Sequence, residues 1–501
     1  MKKMIKLFTV SMLIGTTVAY FGTTTHAQDE ADTVEISMTI GNDIDSLDPF
    51  LAQATLTDSV IYNIFEGLLD AETDGSLVPH LAHDYEISDD ALTYTFFLEE
   101  GVTFHDGSDF TAEDVVYTYS KLAGLDGEDA LSDKWEVVES VEATDDYTVE
   151  VTLSNPDSGF LARTIRAIVP ADYDDHATNP VGTGPYTFVE HSIDQRVTLE
   201  KFDDYFQGND FDVDVVNFDV MPDEETALLA FQAGEVDFIT AVSDQNLSRV
   251  PEDANVVSGP LNMVMMLAMN HEVEPLDSVE VRQAMNMVVD KQEVIDVAID
   301  GNGDALHTFM SPAMDFYFNE ELVDYYTVDV ETAQSLMAEA GYEDGFSIEM
   351  KVPNNAQLYI DAAQVLQAQL ALINIDLTLD VIEFSTWLED VYNEREFEST
   401  IIGFTGKLDP YDVMIRMETG YAYNFMNVDI EGYNEALEAA ISAPSPEESA
   451  TLYKEAQELL TENAAAVFLM DPARNSVMRS GISGFEMYPY ERYVVKDLVV
   501  E

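Results

Sequence analysis

Apolar residues recur along this chain with two spacings, every second residue and every three to four residues. From 34 to 40 apolar side chains alternate with polar ones, which predicts a half-buried strand. Between 222 and 238, Ala227, Leu228 and Phe231 fall on one face of a helix that ends at Gly234 and leads into a short strand. Because strand and helix patterns follow each other throughout, the sequence predicts an α/β fold.

Further helices carry local start and stop signals. Ser278 is the expected N-cap of a helix whose apolar positions are spaced by three and four residues. An amphipathic helix from 358 to 370 turns at Asn374 into a strand. Residues 445–448 read Ser-Pro-Glu-Glu, a capping box with proline at the first helical position, and a strand from 467 to 470 follows that helix.

The N-terminus has the three parts of a secretory signal peptide. Three lysines within the first six residues precede an apolar run at 7–20, and small residues lead to a cleavage point after Ala27. The apolar run is too short for a stable membrane span, and no later run of 18 or more apolar residues occurs. We expect a soluble mature protein that starts at Gln28 and is periplasmic, secreted or associated with the cell wall.

The mature chain is strongly acidic. Removing residues 1–27 takes three lysines from the 21 basic residues and none of the 98 acidic ones, so the formal charge changes from −77 to −80. Such a surface repels phosphate backbones and anionic lipid headgroups, which argues against nucleic-acid and membrane-surface binding. A solvated surface suited to salty or alkaline surroundings is the simpler explanation, and capture of a ligand by the acidic surface is the alternative.

The chain has no cysteine and no visible linker. The absence of cysteine excludes disulfides, thiolate metal sites and cysteine nucleophiles. It also excludes the lipid-modified N-terminal cysteine that anchors many binding proteins of Gram-positive bacteria. About 474 mature residues exceed one ordinary core, so two or three domains are expected. Since no stretch rich in Ser, Gly or Pro separates them, we expect the chain to pass between domains more than once.

The stretch 94–119 combines two runs typical of strands with a tight turn and a helix start. In the turn at 104–107, Gly107 supplies the left-handed backbone conformation, and Thr111 with Asp114 caps the following helix. A structural role is therefore favoured for His105 over a metal or catalytic one. Residues 182–185 similarly predict a turn that starts a strand, because no helix follows them to form a phosphate loop.

Eight motifs occur in one order along nearly the whole mature chain. They read DSLDP at 45–49, YNIFEGL at 62–68, the stretch 94–119, NPVGTGPYTFVE at 179–190, TALLAFQAGEVDF at 226–238, VRQAMNMVVDKQEVI at 281–295, AQSLMAEAGY at 333–342 and LYKEAQELLTENAAAVFLMD at 452–471. In these motifs the chain resembles the family 5 extracellular solute-binding proteins, the oligopeptide, dipeptide and nickel receptors of ATP-driven importers. The resemblance covers residues from about 34 to about 500.

This resemblance implies a bilobal periplasmic-binding-protein fold of class II with an additional inserted domain. It implies that residues 28–55, 181–265 and 471–501 form the first lobe, that 56–180 form the extra domain, and that 266–470 form the second lobe. Ligand capture in this family works by hinge closure, which buries the ligand and presents a closed surface to the membrane permease.

The resemblance also implies where the ligand binds. Peptide-binding members carry, after a Gly-Trp pair, an aspartate that pairs with the ligand's ammonium group. Here Phe404 stands in place of the tryptophan, and Lys407 stands in place of the aspartate. A lysine suits a carboxylate or phosphate, whereas Asp409 either restores an acidic contact or caps the turn before the next proline. The expected ligand contacts in this loop are Phe404, Thr405, Gly406, Lys407 and Asp409.

A second contact zone is implied just after DSLDP, where the matching residues are Gln53, Ala54 and Thr55. Asn424 and Asn427 follow the loop, and for them a role in turns is favoured over hydrogen bonds to a ligand. Nickel receptors of the family use a histidine near this loop. The matching stretch here has none, which disfavours nickel.

Signals for metal binding and catalysis are weak. His80 and His83 have a spacing seen in zinc sites, but no third ligand or glutamate base accompanies them. Residues 70–75 begin like a calcium loop, but the twelfth position is Leu81 instead of glutamate, and a turn between strands is favoured. No HExxH, GxSxG or Walker motif occurs. We therefore expect no catalytic residue, no metal, no cofactor and no enzyme activity.

The expected function is that of an extracytoplasmic receptor of an ABC importer, which captures peptides by hinge closure and delivers them to permease subunits in the membrane. Two alternatives keep the same fold. One binds an anionic non-peptide metabolite, such as an opine-like, phosphorylated or carboxylated solute, because of Lys407. The other senses peptide signals without importing them. The protein is expected to act as a monomer.

Overall fold

The computed structural model describes residues 33–125, 127, 129–171 and 173–501. The predicted signal peptide, 1–27, and the predicted mature start at Gln28 lie outside the described residues. Within the described part of the chain, no helix combines the length and the apolar character that a membrane span requires. Helices and strands alternate along the chain, as the two apolar spacings predict.

The strands, in chain order, are β1 Glu35–Ile40, β2 Leu69–Ala71, β3 Leu77–Pro79, β4 Ala82–Ile87, β5 Thr93–Leu98, β6 Val138–Asp145, β7 Thr148–Leu153, β8 Tyr186–Ser192, β9 Arg196–Lys201, β10 Val215–Val220, β11 Phe238–Val242, β12 Asn255–Pro260, β13 Met263–Met269, β14 Gly303–Ala305, β15 Phe346–Pro353, β16 Ile375–Ile382, β17 Ser399–Thr405, β18 Val467–Met478, β19 Ile482–Ser483 and β20 Val499–Val500.

The α-helices are α1 Thr55–Ile61, α2 Ala112–Ala123, α3 Phe160–Arg163, α4 Glu224–Ala233, α5 Asp244–Leu247, α6 Val279–Val288, α7 Lys291–Ile299, α8 Val330–Glu339, α9 Gln357–Leu370, α10 Phe384–Trp387, α11 Tyr411–Met414, α12 Tyr433–Ile441 and α13 Pro446–Glu462.

Twelve strands form one extended sheet with two halves. Along the sheet the order is β16-β15-β17-β13-β18-β11-β1-β10-β9-β8, and β12 and β14 also pair with β18. We call the half with β1, β8–β12 and the end of β18 the first lobe. The half with β13, β15–β17 and the start of β18 is the second lobe.

The chain crosses between the lobes at two adjacent places. It leaves the first lobe after β12 and enters the second lobe at β13, through residues 261–262. It returns within β18 at residues 471–473, because the start of this strand pairs with β13 and its end pairs with β11 and β12. The Leu261 amide donates to the Pro472 carbonyl oxygen at 3.0 Å, so the two crossings lie side by side. Paired crossings of this kind form a hinge.

A second sheet of four antiparallel strands, in the order β4-β5-β7-β6, forms the extra domain together with α2. Thr111 is the N-cap of this helix, and its backbone amide donates to Asp114 Oδ2 at 2.8 Å. The turn before it has Gly107 at φ 84°, as predicted. The run at 102–104, however, is not a strand, because Thr103 pairs only with Asp109 across that turn.

Buried apolar side chains form separate cores. One core lies within 264–470, and another lies within 68–181 around the four-stranded sheet. The core of the first lobe combines residues from 36–65, 169–238 and 478–498. A small cluster packs α4 against β11. The first lobe is therefore discontinuous in the chain, while the domain boundaries expected from the sequence stay a prediction.

The local helix signals are confirmed. Gly234 ends α4 with φ 83°, and Asn374 ends the segment after α9 with φ 61°. The Ser445 hydroxyl accepts the amide of Glu448 at 3.2 Å at the start of α13. The strand predicted at 467–470 is longer than expected, since β18 continues to Met478. Residues 182–185 precede β8 as the predicted turn.

Candidate functional site

The predicted contact zone of the first lobe is an exposed turn at the start of α1. Asp45 shapes this turn, because its Oδ2 accepts the amides of Gln53 at 3.0 Å and Ala54 at 3.1 Å. These two hydrogen bonds help keep the pKa of Asp45 low, even though burial opposes them. Gln53, Ala54 and Thr55 are all exposed, so their side chains are free to meet a ligand.

The predicted contact loop of the second lobe continues from the end of β17. Phe404 is half-buried, and the guanidinium carbon of Arg416 lies 4.6 Å from the centre of its ring. Thr405 is exposed and Gly406 is buried. The Gly406 amide donates to the Asn262 carbonyl oxygen at 2.5 Å, so the loop is attached to the first of the two crossings.

Lys407 is exposed, and it lies near charged residues from outside the second lobe. Burial raises the pKa of Asp58 on α1, whereas the positive charges of Arg166 and Lys407 oppose this shift. Arg166 Nη1 is 3.9 Å from Asp58 Oδ2. Among the described residues, Lys407 has no side-chain hydrogen bond and no ion pair. The structure thus brings Lys407 close enough to α1 for its charge to act on Asp58.

Asp409 has a different environment from the other predicted contacts. Its carboxylate accepts the Tyr411 amide at 3.0 Å, is 4.0 Å from Arg163 Nη2, and leaves no room for a side chain at Gly159. Burial raises its pKa, and the charge of Asp412 adds to this shift. Asp409 lines a cavity of about 160 Å³ between the extra domain and the second lobe.

Asparagines 424 and 427 both have partners within the protein. The Asn424 side chain is 4% exposed, donates to the Val428 carbonyl oxygen at 2.8 Å and accepts the Val428 amide at 3.0 Å. Asn427 has φ 56°, and its side chain contacts Arg395 and Asn270 at 2.8 and 2.9 Å. Both side chains therefore stabilise turns of the second lobe.

The two histidines with the spacing of a zinc site have separate partners. His80 Nε2 is 2.8 Å from Glu66 Oε1, whereas the His83 ring stacks on Phe97 at 6.4 Å between ring centres. In the described part of the chain, no group of three or more His, Asp and Glu side chains is arranged to hold a metal ion. The calcium-like run at 70–75 forms the predicted turn between β2 and β3.

Sequence reasoning missed Asp58 and Arg166. Neither lies in a pattern that marks a ligand contact, because Asp58 falls within an ordinary helix start and Arg166 follows α3 on a segment without regular structure. Their proximity to Lys407 arises only when the chain folds. A search for charged residues near the DSLDP motif would have found Asp58 but not Arg166.

A sequence model of the bacterial extracellular solute-binding proteins, family 5, matches residues 76–425. The match spans more than half of the chain. This chain belongs to family 5 of the extracellular solute-binding proteins. The family consists of transport proteins that bind solutes outside the cytoplasm, and it is not a family of enzymes.

Relatives of this family 5 protein match it over most of their length. The glutathione-binding protein GsiB of Salmonella paratyphi A is 26% identical over 475 residues, which cover 91% of this chain and 92% of GsiB. The oligopeptide-binding protein AppA of Bacillus subtilis is 26% identical over 439 residues, which cover 82% of this chain and 81% of AppA.

Solved structures confirm the bilobal fold of this family 5 protein. HbpA2 of Haemophilus parasuis is 23% identical and superposes with a TM-score of 0.83, covering 93% of this chain and all of HbpA2. The structure of AppA in complex with a nonapeptide is 22% identical and has a TM-score of 0.67, covering 93% of this chain and 99% of AppA. The class II arrangement of two lobes with mixed α/β sheets is thus shared.

Proposed function

We propose that this protein captures peptides in the cleft between its two lobes and delivers them to the permease subunits of an ABC importer. The names of its relatives support this class of ligand, because AppA binds oligopeptides and GsiB binds glutathione. The paired crossings at 261–262 and 471–473 supply the hinge about which the lobes close.

The observation that carries the proposal is that opposite charges from the two lobes lie near each other. Asp58 lies on the first lobe, and Lys407 of the second lobe is near enough to affect its pKa. A peptide with free ends has an ammonium group and a carboxylate, so it suits such a site. We assign the ammonium to Asp58 and the carboxylate to Lys407.

Neutral contacts complete the proposed site. Gln53, Ala54 and Thr55 offer polar groups from the first lobe, and Phe404 and Thr405 offer an apolar ring and a hydroxyl from the second. Gly406 contributes its backbone only. Asp409 is left out, because its carboxylate is 6% exposed and already caps the turn at Tyr411.

An anionic non-peptide solute is the second candidate, and one observation favours it. Lys407 replaces the acidic residue expected for an ammonium group, and Arg166 adds a second positive charge nearby. A carboxylated or phosphorylated solute without an ammonium group would contact these two residues and would leave Asp58 without a partner in the ligand.

Native mass spectrometry of protein purified without refolding tests the proposal. We expect a bound peptide mass that disappears after unfolding and refolding. Adding back that peptide at about 100 times its dissociation constant should raise the free energy of unfolding by ~2.7 kcal/mol. The peptide should also be recovered intact, and small-angle scattering should show a smaller radius of gyration in its presence.

Peptides with blocked ends separate the two candidates. Acetylating the amino terminus should weaken binding if Asp58 holds the ammonium group, and amidating the carboxyl terminus should weaken it if Lys407 holds the carboxylate. An anionic solute without nitrogen that binds as well as any peptide would contradict the peptide assignment. Cleavage of the peptide would contradict a transport role altogether.

We propose further that the mature protein acts alone and outside the cytoplasm. Its relatives are extracellular solute-binding proteins, and the chain has no cysteine for lipid modification. Light scattering during size-exclusion chromatography should give the mass of one mature chain. A concentration-independent dimer would contradict this proposal.

A further inference from the structure

The hinge contains a fully buried carboxylate that contacts both crossings. Asp471 is 0% exposed and begins the return crossing in β18. Its Oδ1 accepts the amide of Leu261 at 3.1 Å and the amide of Met263 at 3.0 Å. Its Oδ2 accepts the hydroxyl of Ser311. Three donors from two other segments therefore meet on one side chain.

Between those two amides lies Asn262, which has the left-handed φ of 55°. Two backbone amides on either side of such a residue form a concave site that binds an anion. A carboxylate in that site satisfies both amides and stabilises the kink. Asn262 is held from the first lobe as well, because its Nδ2 donates to the Pro489 carbonyl oxygen at 2.7 Å.

Asn262 in turn contacts the ligand loop of the second lobe. Its carbonyl oxygen accepts the Gly406 amide at 2.5 Å. Its side chain fills the space where a Cβ on Gly406 would stand, so the two residues are in direct contact. Any change in the kink at Asn262 must therefore move Gly406, and Lys407 is the next residue along the chain.

We propose that Asp471 is a positioning residue for ligand capture: it fixes the kink at Asn262, and through Asn262 it fixes the loop that presents Lys407 to the cleft. Rotation of the lobes about the crossings and placement of the loop are then linked through one buried side chain. The role given to Lys407 rests on the proposed function, but the contact chain from Asp471 to Gly406 does not.

Hydrogen exchange of the full mature protein without added ligand tests this chain of contacts. Asp471→Ala removes the side-chain acceptor of the Met263 amide and leaves the Leu261 amide with the Pro472 carbonyl oxygen alone. Exchange of the amides in 261–263 and 404–407 should therefore rise at least about tenfold. Asp471→Asn keeps an oxygen that accepts the two amides, and its amide NH2 group can donate to the Ser311 hydroxyl oxygen, which reverses the direction of that hydrogen bond. It should restore exchange in both segments to within about threefold of the wild-type rate.

Asp43→Ala is the matched control. Asp43 Oδ1 accepts the Ile44 amide at 2.9 Å, and its Oδ2 accepts the Asp194 amide at 2.7 Å, but these residues lie away from the crossings. This variant should accelerate exchange near 44 and 194 and leave 404–407 unchanged. Circular dichroism verifies that each variant is folded.

Unchanged exchange at 404–407 in Asp471→Ala would overturn the proposal, as would equal acceleration there in Asp43→Ala. Failure of Asp471→Asn to restore protection would overturn it too, because both variants would then act by general destabilisation. Failure of every peptide to bind the wild-type protein would instead overturn the proposed function and leave the contact chain intact.

Discussion

Lys407 stands out at the residue scale because basic side chains are scarce in this protein. The chain has 21 Lys and Arg against 98 Asp and Glu, so an exposed lysine normally finds a carboxylate partner nearby. In the part of the chain that the structure describes, the ammonium group of Lys407 has no ion pair. An unpaired positive charge beside a cleft is well placed for an anionic group of a ligand.

Replacing Lys407 should therefore weaken binding of one end of the ligand only. For Lys407→Ala we expect a loss of about 10- to 100-fold in affinity for a peptide with a free carboxylate, the range for hydrogen bonds to charged groups. Isothermal titration calorimetry measures it. The same variant should bind the amidated peptide as well as the wild-type protein does.

Lys454→Ala is the control for this prediction, since it removes a half-exposed lysine of α13 in the same lobe. It should leave both affinities unchanged. Equal losses for the free and the amidated peptide in Lys407→Ala would show that Lys407 does not contact the carboxylate.

Gly182 is required because a side chain at this position would not fit between its neighbours. A Cβ there would overlap the carbonyl oxygen of Ile64 and approach the Phe65 ring at 2.8 Å. Gly182→Ala should lower the free energy of unfolding by about 1–3 kcal/mol through overpacking. Thermal or urea denaturation measures the change.

Gly41→Ala provides the comparison, because a Cβ at Gly41 would have nothing within 4 Å. Surface changes of this kind normally stay within ±0.5 kcal/mol. If Gly182→Ala proved as stable as Gly41→Ala, the turn before β8 would be less tightly packed than the structure shows.

At the scale of elements, the junction of the extra domain with the first lobe is built around buried charges. Glu66 is 4% exposed and accepts the hydroxyls of Thr183 at 2.8 Å and Tyr205 at 2.7 Å as well as contacting His80. Burial disfavours the charged imidazolium, but the charges of Glu66 and Asp70 more than offset it, so the pKa of His80 is raised.

This raised pKa gives a stability effect with a definite sign. The folded protein holds the proton on His80 more tightly than the unfolded chain does, so the contribution is complete below the unfolded pKa of about 6.5. It is lost as the pH rises through the folded pKa. The difference in unfolding free energy between wild type and His80→Asn should therefore shrink from pH 5.5 to pH 9.

Urea denaturation across that range measures the difference, and His83→Asn serves as control because His83 has no carboxylate partner among the described residues. A difference for His80→Asn that stays constant with pH would contradict the assignment of a proton to the pair.

Helix boundaries could be predicted from the sequence because their signals are local. Ser445 and Pro446 mark the start of α13, and Gly234 marks the end of α4, within a few residues of the backbone groups they serve. The full length of β18 could not be predicted, because Asp471-Pro472 interrupts its apolar pattern. The Asp471 carboxylate accepts hydrogen bonds from the amides of Leu261 and Met263, which belong to the other crossing and are distant in sequence.

The candidate site likewise has residues that could be predicted from the sequence and residues that could not. The contact loop and the turn at 53–55 were located by resemblance to the family, since motifs fix their position in the chain. Asp58 and Arg166 were not, because only folding brings them near Lys407. The binding experiments with blocked peptides test the contact roles that we propose for Asp58 and Lys407.

For the whole molecule, the dominant property is the net charge of the chain, −77. So many like charges on a compact body repel one another and destabilise the folded state. Salt screens this repulsion, with a screening length that falls to about 3 Å at 1 M. We expect the melting temperature to rise by several degrees between 0.05 M and 1 M sodium chloride.

The same salt series at pH 4 is the control, because protonation of carboxylates near the isoelectric point of about 4.1 reduces the repulsion. The gain in melting temperature should shrink there. A melting temperature that falls with salt at pH 7.5 would show that individual ion pairs outweigh the overall repulsion.

The position of the two crossings has a consequence for the integrity of the polypeptide. After a single cut between Leu261 and Asn262, the second lobe would stay covalently joined through residues 471–473 to the end of β18, which belongs to the first lobe. The pairing of β11 and β12 with the end of β18 would hold the two fragments together, because β11 and β12 lie before the cut and β18 lies after it. A nicked molecule would thus migrate as two fragments under denaturing conditions and as one body under native conditions.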